Sequence, residues 1–506
     1  MRPASTFLLS LLLVGCSAVS PLRQAPQRSD KPWEASAVPA LAADLAKRTA
    51  NDSRVKPDPS KTYTLPDLVD LAEARNRTTR TAWEAARGAA AGTGLSAAEF
   101  YPMLAVLASY GGGMWDLNLN FNNNLTGIES QAGILGAIFS REVPAQINLD
   151  QQASGVYRTI NTGAALRWML FDFGTRQARM EAAKRNLLAA NLAFNAAHQM
   201  VAFKVTEAYY ALQAARRQIE AANTSATTAS EVLASAEARF SRGMLTEPLL
   251  LQARQAKAEA DYGLESARSA QDMASIDLSE AAGLPPGERL KIAAADYQRL
   301  RRGLQLPLDN YVKAALHKRP DLLAKVAVVQ AREAELRAAR ADRLPKLALT
   351  GAATYTRFDT SVQNTGPLDA FGLGLQNYAG FLTVQWPVFT GFAEENKIRA
   401  ADAGRLAAAE ELALAREHTI AEVWRAYTRA KNALARREAA ESLQRATRAT
   451  YESARASFEQ GITPVQDLLI ARAAYAQATA LAAESDQAIA ASLTALAFGS
   501  GKLHEK

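Results

Sequence analysis

Trp168-Met169-Leu170-Phe171-Asp172-Phe173-Gly174 returns 218 residues later as Trp386-Pro387-Val388-Phe389-Thr390-Gly391. Each aromatic string opens a stretch with no proline and almost no glycine, residues 175–242 and 392–460. The same offset carries Phe240-Ser241-Arg242-Gly243 onto Phe458-Glu459-Gln460-Gly461, and Leu250-Leu251-Gln252-Ala253-Arg254 onto Leu468-Leu469-Ile470-Ala471-Arg472. Upstream the offset is 243: Leu65-Pro66-Asp67-Leu68-Val69 matches Leu308-Asp309-Asn310-Tyr311-Val312, and Tyr101-Pro102-Met103 matches Leu344-Pro345-Lys346. One pattern is written twice, with 25 extra residues in the first copy between Pro102 and Trp168. An internal repeat of this kind implies a shared architecture for both copies.

Each copy begins with a helix of about 35 residues, from near Leu65 or Leu308, that ends at Pro102 or Pro345. Alternating sequence follows. In Leu382-Thr383-Val384-Gln385-Trp386 the apolar side chains fall on one face and the polar ones on the other. Four strands are expected, near 103–112, 158–170, 346–357 and 379–389. The proline-free stretches then read as helices on the order of 100 Å long at ~1.5 Å per residue. Leu187, Phe194, Val201 and Ala208 recur every seven residues, which is coiled-coil spacing. Gly243 and Gly461 supply the positive φ of a tight turn, and shorter helices return to Ala282 and about Leu496.

Composition narrows the function. The 506 residues carry 58 Lys and Arg against 51 Asp and Glu, a small excess in which both signs are interspersed, as on solvated helices and not on a nucleic-acid footprint. The four histidines, His198, His317, His418 and His504, have no metal-ligand spacing. The single cysteine excludes an internal disulfide. It is Cys16, behind Arg2, an apolar run from Phe7 to Val14, and Gly15. Such a run is a secretory leader, too short to span a membrane. The context resembles a bacterial lipobox, in which Cys16 is acylated as the first mature residue; the alternative is an ordinary leader with an incidental cysteine. Ser17 in the next position resembles an outer-membrane sorting signal.

After residue 16 no apolar run reaches the ~18 residues of a spanning helix, whereas the strands match the ~9–11 residues of a tilted transmembrane strand. Four strands cannot close a barrel, and an open edge cannot sit in lipid. An oligomer follows, with three protomers and twelve strands as the economical solution for a water-filled passage. The 25 extra residues fall in the Trp115 to Tyr157 region, with Asn118, Asn120, Asn122, Asn123 and Asn124 read as an outward-facing polar loop, which sends the helical hairpins into the periplasm.

The duplicated order of helix, proline, strand, loop, strand, Trp-x-x-Phe, long helix, Phe-x-x-Gly turn and return helix resembles the TolC-like outer-membrane efflux proteins over about residues 64 to 501. The resemblance, with the lipobox, points to the lipoprotein branch that serves resistance-nodulation-division pumps. It implies a mainly α chain with transmembrane β: a homotrimeric twelve-stranded barrel continued by a long helical barrel. It implies no catalysis and no cofactor beyond the lipid on Cys16. The partners would be a second and third copy, a periplasmic adaptor, an inner-membrane transporter and outer-membrane lipid, with no nucleic acid. The expected organisation is a leader over 1–15, a lipidated segment over 16–63, repeats over 64–283 and 308–501, a linker over 284–307 and a tail over 502–506. In the linker, Arg299-Leu300-Arg301-Arg302 reads as solvated or next to lipid headgroups.

By the same resemblance, Gly243 and Gly461 with Arg242, Met244 and Ile462 form adaptor-docking tips. Asp467, six residues beyond Gly461, stands at an acidic gate position; its counterpart in the first copy is Leu249, with Glu247 as the nearby substitute. Three Asp467 carboxylates around an axis would select cations. The plainer reading is that both acids offset a helix dipole. Trp168 and Trp386 suit a membrane interface, or simple packing at a strand end. Gly111-Gly112-Gly113 lacks the Lys-Ser/Thr of a phosphate loop and reads as a flexible strand end. Two other functions stay open: the exit channel of a protein-secretion system, and a periplasmic coiled-coil scaffold with no pore.

Overall fold

The computed structural model describes residues 42–44, 58, 60–124, 146–287, 290–295, 304, 306–363 and 370–501. In the N-terminal unit, residues 1–59, residues 42–44 are helical and exposed. Cys16, the leader, the Arg299–Arg302 run and the tail lie outside the described residues. All elements below belong to the second unit, residues 60–506.

Its order is β1 (Thr62–Tyr63), α1 (Leu65–Arg75), α2 (Arg77–Ala98), β2 (Met103–Asn124), β3 (Gln146–Phe171), α3 (Thr175–Ser241), α4 (Glu247–Ala281), β4 (Lys291–Ile292), α5 (Leu308–Lys318), α6 (Pro320–Asp342), β5 (Lys346–Gln363), β6 (Ala370–Gln385), α7 (Ala393–Glu459) and α8 (Val465–Gly499). The two 67-residue helices α3 and α7 form as expected. The single 35-residue helix at the head of each copy does not. In the first copy the chain turns extended at Asn76, whose Oδ1 accepts from Thr78 N at 2.8 Å and whose Nδ2 donates to Ala281 O at 3.1 Å. In the second the break falls at Arg319, because a residue before proline, here Pro320, is pushed out of the helical region.

Packing along the long helices is built on alanine. Ala253, Ala260, Ala267 and Ala274 of α4 recur every seven residues and are all buried, as are Ala426, Ala433 and Ala440 of α7. A methyl group at each seam position lets the helix axes approach closely, so the hairpins are thin. Of the heptad expected on α3, Val201 is buried and Leu187, Phe194 and Ala208 are half-buried. Larger cores occur at two levels. Tyr63, Leu68, Val205, Leu212, Leu278 and Ile292 cluster midway along the chain of helices, and Val232, Phe458, Val465 and Leu468 cluster at the hairpin ends. Ile292 belongs to β4, in the segment expected as a plain linker. β4 pairs in parallel with β1, and the carbonyl of Ala293 accepts from Tyr209 Oη at 2.9 Å and from Gln213 Nε2.

The four long strands form one antiparallel sheet in the order β2-β3-β5-β6. They hold 22, 26, 18 and 16 residues, longer than the expected spans. The inserted residues explain part of this: the asparagines read as a loop lie in β2, with Asn118 opposite Gln152 and Asn124 opposite Gln146. Gly111, Gly112 and Gly113 also sit inside β2, not at its end. A side chain at Gly113 would meet the Tyr157 ring at 3.0 Å, so the glycines admit Tyr157 and its stack on Phe358 at 5.4 Å. Leu104, Val106, Tyr110 and Met114 of β2 alternate along one face and are exposed, as are Tyr378, Leu382 and Val384 of β6. β2 and β6 are the sheet's outer strands, each paired on one side only.

An arginine lock turns β3 into α3. Phe173 and Gly174 take φ of 52° and 93°. Buried Asp172 accepts from Arg176 N at 2.9 Å and Arg176 Nε at 3.0 Å. The rest of the guanidinium donates to the carbonyls of Met169, Leu170 and Glu99 and lies over the Phe100 ring. The second copy has Thr390 and Glu394 at these places. Arg176→Met leaves a buried carboxylate without its partner and is expected to cost about 3–5 kcal/mol. Thermal unfolding followed by circular dichroism measures it, with partial recovery in the Asp172→Asn, Arg176→Met double variant. Ala253→Leu overpacks the α3–α4 seam and is expected to cost about 1–3 kcal/mol in the same measurement.

Candidate functional site

The two hairpin tips are built alike. Gly243 has φ of 72° and Gly461 of 78°. Gly243 N donates to Phe240 O at 2.9 Å and Met244 N to Arg239 O at 2.9 Å; Gly461 N donates to Phe458 O at 3.0 Å and Ile462 N to Ser457 O at 2.8 Å. These pairs close the last carbonyls of α3 and α7. Among the described residues, the glycine's own chain neighbours aside, no atom lies within 4 Å of where a Cβ would stand at either glycine, so backbone conformation and not space requires glycine there. Pro248 is the second residue of α4 and Pro464 is the N-cap of α8, places where the missing N–H removes no helix hydrogen bond. Arg242, Met244 and Ile462 are exposed around these turns, Met244 at 61% and Ile462 at 71%. Unsheltered apolar side chains at the ends of a charged hairpin are the kind of surface a protein partner covers.

Glu247 and Asp467 both fall in first turns, of α4 and α8, and both are exposed. Among the described residues neither carboxylate has an ion-pair partner. The placement suits the dipole reading, and a ring of such carboxylates requires further copies of the chain. Leu249, the counterpart of Asp467 in the first copy, packs against the core at the tips.

One residue that ties the two hairpins together at their tips has no signal in the sequence. Arg239 of α3 lies over the ring of Phe458 at 4.1 Å and its Nη2 donates to Phe458 O at 2.6 Å. Phe458 is 4% exposed, whereas Phe240, its counterpart in the first copy, is 41% exposed. The repeat pairs these phenylalanines as equivalents. The preceding arginine has no counterpart beside Phe458: the residue 218 positions after Arg239 is Ser457.

The interface tryptophans also part company. Trp168 is in β3 and its Nε1 donates to Phe100 O at 3.1 Å, tying the strand end to the end of α2. Trp386 stands one residue beyond β6, 60% exposed, beside exposed Val388, Phe389 and Phe392. The expected strand over 379–389 stops short because Pro387 has no N–H for the ladder. Among the described residues no helix is long and apolar enough to cross a membrane, and no cluster of three His, Cys, Asp or Glu could hold a metal ion.

Comparison with known proteins agrees with this geometry. The sequence profile of the outer membrane efflux protein family matches residues 68–284 and 311–502. Protein CyaE of Bordetella pertussis is 26% identical over 375 residues, which cover 74% of this chain and 70% of CyaE. Outer membrane protein OprJ of Pseudomonas aeruginosa is 26% identical over 333 residues, covering 63% of this chain and 65% of OprJ. Among solved structures, the channel-forming CusC superposes with a TM-score of 0.68 at 18% identity, over 89% of this chain and 95% of CusC. The chain has the fold of these outer-membrane channels, and it belongs to the outer membrane efflux protein family.

Proposed function

We propose that three copies of this chain form the outer-membrane exit duct of a tripartite efflux system. The duct passively conducts small molecules delivered by an inner-membrane transporter through a periplasmic adaptor. The observation that carries this reading is the sheet itself. β2 and β6 each have one unpaired edge and an alternating band of exposed apolar side chains. Lipid satisfies the band and cannot satisfy the edges, so β6 of one copy must pair with β2 of the next until the sheet closes. The long helices continue the tube into the periplasm and end at the glycine turns, where Met244 and Ile462 offer the adaptor an apolar contact. Acylation of Cys16 anchors the N-terminus in the same membrane.

Reconstitution tests the duct. Heat-modifiable trimers with single-channel conductance in planar bilayers are expected, and a protein that forms trimers and never conducts would overturn the reading. If Asp467 and Glu247 line the narrow end, Asp467→Asn with Glu247→Gln reduces the preference for potassium over chloride, read from the reversal potential in a salt gradient. For the anchor, mass spectrometry of the mature N-terminus is expected to find acyl chains on Cys16 and none in Cys16→Ala.

A further inference from the structure

Where α3, α7 and α8 run side by side they border an open-sided cavity of about 410 Å³, lined among others by Arg217, Arg437, Arg472, Tyr451, Tyr475 and Asp486. Asp486 is buried, and it organises one side. Its Oδ1 accepts from Arg437 Nε at 2.6 Å and its Oδ2 from Arg217 Nη1 at 2.7 Å. Arg437 also pairs with Glu441 at 3.0 Å. These charges are matched within the protein.

Arg472 is not. It is 7% exposed, and its guanidinium reaches only neutral oxygens: Ser225 O at 3.3 Å, Ser225 Oγ at 3.2 Å and Ala256 O at 3.4 Å. Among the described residues its buried Nε has no acceptor, and neither has the buried Nη1 of Arg437 on the same cavity. Among the described residues no carboxylate comes within ion-pair distance of Arg472. Burial pulls its pKa below the ordinary arginine value against the more distant support of Glu259. An arginine does not escape this cost by losing its proton, so a counter-ion is the available relief. Tyr451 and Tyr475, whose rings stack at 5.8 Å with 6° between their planes, also line the cavity, Tyr475 three residues along α8 from Arg472.

We propose that this cavity binds a small organic anion, its carboxylate on Arg472 with Arg437 assisting and its flat body against the tyrosine pair. The site is separate from the tips and does not depend on whether the duct conducts. Its built-in control is Arg254, which the repeat places opposite Arg472. Arg254 is the same residue type, exposed and paired with Glu237 at 3.4 Å, and does not line this cavity.

The test is a calorimetric titration of the full-length protein in detergent with salicylate, and with salicylamide as the uncharged isostere. Salicylate is expected to saturate one site per chain. Salicylamide, and salicylate on Arg472→Gln, are expected to bind about tenfold more weakly or worse, as befits loss of a charge-assisted hydrogen bond. Arg254→Gln leaves the affinity unchanged. If Arg472→Gln does not fold, Arg472→Lys keeps the charge and loses the planar fork, and affinity falls with it. Absence of saturable salicylate binding overturns the site, as does equal binding of the amide or undiminished binding by the Arg472 variants.

Discussion

Everything in this molecule answers to the two open edges of its sheet. A β-strand in lipid cannot leave its N–H and C=O groups unpaired, and four strands span too little arc to close on themselves. β2 and β6 therefore make the protomer an incomplete object, a sector of a closed wall. The exposed apolar side chains on those strands are costly in water and cost nothing in a bilayer. Once the sheet is committed to curvature and closure, the helices leaving it at Gly174 and Phe392 inherit a position on the circumference. The two left-handed turns at these points redirect the chain within a residue or two, so little freedom is left for the helix to wander.

The helical part solves a different problem, how to build a wall on the order of 100 Å long from few chains. Alanine seams are the answer. Large apolar side chains would thicken the wall and demand a core that a single layer of helices does not possess. Bulk is spent only where several elements meet, around Val205 and Leu278 where β1, β4 and α1 dock, and at the tips around Phe458. This accounts for the modest 7% of aromatic residues.

Much of this was legible because it is periodic. The repeat offsets, the proline-free stretches and the Phe-x-x-Gly turns located α3, α4, α7 and α8 within a few residues, and alternation located all four long strands. What stayed hidden was local or depended on distant partners. Asn76 looks like any polar helix residue until its side chain caps the next helix and reaches Ala281. β4 is two residues long, too short for any pattern, and is held from α3, where Arg216 donates to the carbonyl of Ile292 and Tyr209 and Gln213 to that of Ala293 just beyond it. Strand ends were misplaced where the inserted asparagines extended the ladder instead of leaving it. The tip glycines and the exposure of Met244 and Ile462 were readable. Arg239 on Phe458 was not, because a cation over a ring has no spacing signature.

Duplication explains why equivalent positions differ in kind. In a closed ring of six similar hairpins, each repeat has the other kind of repeat on both sides, once within its chain and once across a chain boundary. A contact inside one chain is formed on folding and can be tight and buried. The Arg176–Asp172 lock and the Arg239–Phe458 stack are of this sort, and each occurs in one setting only. Their counterparts are exposed or uncommitted in the single chain: Phe240, Trp386, Phe389, and Thr390 in place of Asp172. A position that must be presentable in the monomer and buried after assembly cannot carry an unpaired charge, since the charge would have to be desolvated a second time. The second junction leaves Trp386, Val388, Phe389 and Phe392 exposed where the first has the buried lock, and its Glu394, in the place of Arg176, pairs instead with Lys397 at 2.7 Å. The sequence differences between the copies thus mark which of two equivalent positions is closed within the chain and which is left exposed.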